Sequence, residues 1–149
     1  MTRTIMKGIA LVVLATAVSG ACVGPCVPVW VEVIVVDVAP PSGPIAEDSV
    51  TIAVSATEEK TVAVCHDLMI WLDRWNEQAG YWQFEAHPSS WAFGEPTPTG
   101  ECSSIRDVDV TFEDVPLAPG ENRFQVVILI DGCDGYEDEW IYHEVTYTR

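Results

Sequence analysis

The sequence predicts an all-β sandwich with a long irregular insertion in its middle. Three observations predict it. Apolar and polar residues alternate over Ser49 to Ala56 and Asp107 to Phe112, the period of half-buried strands, and Arg123 to Asp131 and Glu139 to Tyr147 have strong strand composition. Pro and Gly punctuate the chain between those segments, at 40–44, 88–100 and 116–120, where they favour turns. Little of the chain carries a helical period, and several short strands separated by turn signals make a sandwich.

The elements follow in order. Residues 1–21 read as a signal peptide. Arg3 and Lys7 precede an apolar run from Ile9 to Val18, about half of the roughly 20 residues that span a bilayer. Small residues, Ser19 and Ala21, stand before Cys22, as at a cleavage site. The segment Val18-Ser19-Gly20-Ala21-Cys22 resembles the lipobox of bacterial lipoproteins, with Ser19 where that family usually has leucine. The resemblance implies a mature chain that begins at a lipidated Cys22, plain secretion being the alternative. Five cysteines are an odd number, which asks for one without a disulfide partner. Lipid on Cys22 leaves Cys26, Cys65, Cys102 and Cys133, enough for two disulfides in an oxidising compartment.

Residues 22–38 form the tether and first strand, the Val- and Ile-rich stretch Val27 to Val38, and the sandwich proper spans 39–149. Ala39 to Pro44 is too rich in Pro and Gly for a helix or central strand. Ser49 to Ala56 places Val50, Ile52, Val54 and Ala56 on one face, and Glu58-Glu59-Lys60 reads as a charged turn. Thr61 to Asp73 fits two periods. As a strand it gathers Val62, Val64, Leu68, Ile70 and Leu72. As a helix it aligns Leu68, Trp71, Leu72 and Trp75, with Gly80 as a stop. The strand is favoured, because several of its alternating positions are β-branched. Tyr81 to Ala86 has strand composition, 87–104 reads as an irregular excursion, and Asp107 to Phe112 alternates again. Arg123 to Asp131 and Glu139 to Tyr147 close the chain, joined across Gly132-Cys133-Asp134-Gly135 as in a hairpin.

The turn Val115-Pro-Leu-Ala-Pro-Gly-Glu-Asn122, followed by an alternating strand and Asp131-Gly132, resembles the end of a bacterial extracellular immunoglobulin-like domain. There a Leu-x-x-Gly-x-Asn turn joins the fifth and sixth strands. The resemblance implies an immunoglobulin-like sandwich, and its topology brings the four remaining cysteines to one end. The implied pairing is Cys65–Cys133 with Cys26–Cys102, and Cys102–Cys133 is the rival.

Composition narrows the function. Lys and Arg number 7 against 23 Asp and Glu, a net charge of −16. After removal of residues 1–21 five cations remain against the same 23 acids, about −18. Such a surface disfavours nucleic acid and electrostatic docking on anionic lipid. No nucleophile elbow, phosphate loop or dinucleotide fingerprint is present, so no cofactor is expected. A secreted hydrolase, the least favoured reading, would need converging acid and base groups. His66, His87 and His143 lack a ligand spacing, and the acidic stretch Asp131, Asp134, Glu137, Asp138, Glu139 does not match a calcium loop.

The sharper signal is aromatic. If Phe124, Val126, Ile128 and Ile130 face the core, neighbouring strands turn Met69, Trp71, Trp140 and Tyr142 outward with Val127 and Leu129. A patch of that kind is rarely left open. Two expectations follow: the 76–104 excursion folds over it, or it binds a partner. The reading is therefore a lipid-anchored cell-envelope protein with a binding or structural, non-catalytic domain. Its partner is a protein or a glycan, and a carbohydrate-binding module with exposed tryptophans is the alternative.

Overall fold

The computed structural model describes residues 31–61, 66–100, 103–132 and 138–149. Cys22, Cys26, Cys65, Cys102 and Cys133, the signal segment, Val62 and Val64, and Asp134 and Glu137 of the acidic stretch lie outside them. The strands are β1 (Val31–Ala39), β2 (Gly43–Pro44), β3 (Ser49–Thr61), β4 (His66–Asn76), β5 (Tyr81–Ala86), β6 (Ser90–Phe93), β7 (Thr97–Pro98), β8 (Ser103–Pro116), β9 (Glu121–Gly132) and β10 (Glu139–Thr148). Among the described residues no helix is long and apolar enough to cross a membrane.

One sheet runs β1-β3-β8-β6, with β7 also on β8; the other runs β2-β10-β9-β4-β5. The chain changes sheets between β1 and β2, where Gly43 pairs in parallel with Tyr147. Every other pairing is antiparallel. This is the strand order of an immunoglobulin-like sandwich with an extra edge strand, β5, on the second sheet.

The alternation in the sequence is what builds the core. Val50, Ile52, Val54 and Ala56 of β3 and Val108, Val110 and Phe112 of β8 meet Ile70 and Leu72 of β4 and Phe124, Val126 and Ile128 of β9. Burying each larger side chain contributes about 1.5–3 kcal/mol. The turn read from Leu117 to Asn122 is present in full. Leu117 is buried, and Gly120 sits at φ 95°, where a Cβ is disfavoured. Asn122 accepts from Ala118 N at 2.9 Å and donates to Ala118 O and Gly120 O at 2.8 and 3.0 Å.

Three local readings change. The segment from His66 is a strand, as favoured, and Gly80 serves a different element. At φ 70° it closes the β4–β5 turn, donating its N–H to Asn76 O at 2.8 Å. Glu58 is not in a turn. β3 continues to Thr61, and Glu58 occupies an inward register opposite Arg106, fully buried. Its charge is tolerated there because Arg106 Nε and Nη2 donate to its Oε2 at 3.0 and 2.6 Å. The 76–104 excursion is more regular than its Pro and Gly content suggests, since it contains β5, β6 and β7.

Tyr147 locks the sheet crossover. Its ring is buried, and its hydroxyl donates to Pro40 O at 2.8 Å. Burial pushes the phenol up to about 12. The folded protein thus holds this proton more tightly than the unfolded chain, whose phenol titrates near 10. Stability present below about pH 10 is lost as pH rises toward about 12. Tyr147→Phe should cost about 1 kcal/mol at neutral pH and flatten the alkaline fall in melting temperature, measured by circular dichroism from pH 8 to 12.

Candidate functional site

The outer face of the second sheet is assembled from cross-strand rows. Met69, Leu129 and Trp140 form one row, Trp71, Val127 and Tyr142 the next, and Asp73, Gln125 and Glu144 a third. All four proposed contact residues, Met69, Trp71, Trp140 and Tyr142, therefore share one face. Period two requires this once the opposite face belongs to the core. Trp71 meets Trp140 edge to face at 5.7 Å, and Trp140 lies near-parallel to Tyr142 at 6.5 Å, within the range of favourable ring pairs. The rings shield Val127 and Leu129, which are buried although they point away from the core.

The patch is not closed over. Met69, Trp140 and Tyr142 remain 41%, 47% and 56% exposed. The expectation that 76–104 folds across it does not hold, because that stretch is drawn into the sheets themselves. Trp91 and Phe93 pair with Val110 and Val108 in the opposite sheet. Trp82, on β5, pairs with Trp75 and extends the face sideways instead. β5 and β6 satisfy their backbone groups along sheet edges, which a loop draped over aromatic rings could not do.

An open groove of about 370 Å³ runs along this face, lined by Trp71, Asp73, Trp82, Gln125, Val127, Trp140 and Tyr142. Its far side is braced by Arg123, which lies over the Trp75 and Trp82 rings at 5.2 and 5.5 Å and reaches Glu144 at 3.4 Å. Asp73 Oδ1 accepts from Trp71 Nε1 at 3.1 Å. Burial holds the Asp73 carboxyl above its ordinary range, with the Trp71 bond pulling the other way.

Sequence reasoning missed Asp73, Gln125 and Trp82. Asp73 and Gln125 read as ordinary polar positions of alternating strands. The one available signal is that Gln125 sits inside the otherwise apolar stretch of β9 that continues as Val126-Val127-Ile128-Leu129-Ile130. Among the described residues no group of three His, Cys, Asp or Glu side chains stands close enough to hold a metal ion.

No family model matches the chain, and no curated protein matches it. Among solved structures it is similar to AggA, the major subunit of aggregative adherence fimbriae type I from Escherichia coli. The TM-score is 0.40 and the identity 11%, over 79% of this chain and 94% of that one.

Proposed function

We propose that this chain is an exported immunoglobulin-like binding domain, tethered to the cell envelope by lipid on Cys22, whose contact surface is the outer face of β10, β9, β4 and β5. The observation that carries the reading is the aromatic face itself: Trp140 and Tyr142 are about half exposed beside Met69. A monomer rarely keeps such a patch open without a use for it, and aromatic side chains are favoured anchors of interfaces. The tether rests on the basic start, the short apolar run and the small residues before Cys22.

Intact-mass analysis of membrane fractions should find a chain that starts at Cys22 with added acyl mass, and Cys22→Ser should abolish that acylated form. The soluble Cys22→Ser chain should then sediment with isolated bacterial envelopes. The same chain carrying Trp140→Ala and Tyr142→Ala should stay in solution, still folded by circular dichroism and less stable by about 2 kcal/mol. Equal sedimentation of the two chains would contradict the contact face. An unmodified Cys22 on a soluble mature chain would contradict the tether.

A further inference from the structure

The groove on the contact face contains a polar group with no use inside the protein. Gln125 is only 8% exposed, and among the described residues its side-chain amide has no hydrogen-bond partner. Such an amide offers one acceptor oxygen and two N–H donors, and buried polar groups are nearly always satisfied. It lines the groove beside Asp73, between the rings of Trp82 on one side and Trp140 and Tyr142 on the other. A hydrogen-bonding ligand entering the groove would satisfy it.

We infer that the groove binds a neutral carbohydrate, with sugar ring faces packed on the tryptophans and hydroxyls bonded to Gln125 and Asp73. The inference rests on the contact-face reading and names its occupant. A pyranose has the two features this site asks for: an apolar C–H face that packs on aromatic rings and hydroxyls that both donate and accept. Carboxylate Asp73 accepts from a hydroxyl, while the Gln125 amide can do either. At about 370 Å³ the groove is at the small end of ligand sites, which suits one or two sugar rings. The net charge of −16 turns away sialylated or sulfated glycans and leaves neutral ones.

The test is a ¹H–¹⁵N titration of the soluble Cys22→Ser chain with glucose, galactose, mannose, N-acetylglucosamine and their disaccharides. The readout is the indole N–H signals of Trp71, Trp82 and Trp140, assigned by Trp→Phe variants. At least one sugar should move them saturably. Gln125→Met, which keeps length and removes the amide, should weaken that binding about tenfold or more. It should leave the melting temperature unchanged or higher, since a lone buried amide gives way to an apolar side chain. A Gln125→Met chain that binds sugar as wild type does would overturn the inference. So would a panel that moves no indole signal up to about 50 mM, or one in which only a cationic peptide does. In these last two cases the contact face stands if Trp140→Ala with Tyr142→Ala still abolishes envelope sedimentation. If that variant sediments like wild type, the face itself is refuted.

Discussion

Arg106→Met should destabilise the domain by about 3 kcal/mol, read from urea unfolding. Glu58 is fully buried at the inward register of β3, and the Arg106 guanidinium offsets its charge at 2.6 Å. The guanidinium is itself braced by the Phe93 ring, 4.7 Å below it. Removing one partner of a buried ion pair costs about 3–5 kcal/mol, because the other charge keeps its desolvation penalty. Arg106 is partly exposed, which places the expectation at the lower end. Adding Glu58→Leu should recover most of the loss, since an apolar side chain at an inward position has no charge to compensate. The wild-type pair should also be insensitive to salt, as buried charges are screened little. A loss below about 0.5 kcal/mol for Arg106→Met would mean that the pair behaves as a surface bridge.

With the cysteines bridged as we propose, reduction should cost about 2–4 kcal/mol, the usual stabilisation from closing a loop of tens of residues. We propose the Cys65–Cys133 bridge on the register of the described strands. His66 stands opposite Gly132 in the antiparallel β4–β9 pair, and Cys65 and Cys133 are their neighbours in the sequence. A disulfide spans Cα atoms roughly 4.4–6.8 Å apart, the separation the proposed bridge asks of these two cysteines. For the proposed Cys26–Cys102 bridge the support is looser. Val31 and Ser103 both pair with the last residues of β3, Val31 with Lys60 and Ser103 with Thr61. The starts of β1 and β8 therefore stand at the same end of the sandwich. Cys65→Ser with Cys133→Ser should lower stability by about 2–4 kcal/mol, and the reducing agent should have less left to remove. A Cys102–Cys133 peptide in a non-reducing digest would refute the pairing.

The strands that alternate cleanly were legible in the sequence. β3 and β8 each present an apolar and a polar face, β9 and β10 have strong strand composition, and the Leu117–Asn122 turn carries its own chemistry in Gly120 and Asn122. β4 was ambiguous for a physical reason. Its inner face holds Leu68, Ile70 and Leu72 and its outer face Met69 and Trp71, so both faces are apolar and period two fades. β6 was hidden because Trp91 and Phe93 are exposed at a sheet edge within a Pro- and Gly-rich stretch. Glu58 misled because a charge at the head of Glu-Glu-Lys ordinarily signals solvent, and its partner Arg106 is 48 residues away. The aromatic face followed directly from strand parity once β9 was oriented. The polar floor of the groove did not, because only the lateral register of three strands brings Asp73, Gln125 and Glu144 into one row.

Hydroxyl-radical footprinting with mass spectrometry tests most directly whether the aromatic face is an open contact surface. It reads the exposure of individual side chains in the full chain. Met69, Trp140 and Tyr142 should oxidise rapidly, while the buried rings of Phe112, Phe124 and Tyr147 should be protected. Oxidation of Met69, Trp140 and Tyr142 as slow as that of the three core rings would mean that the chain covers its own face, and would contradict a binding role for it.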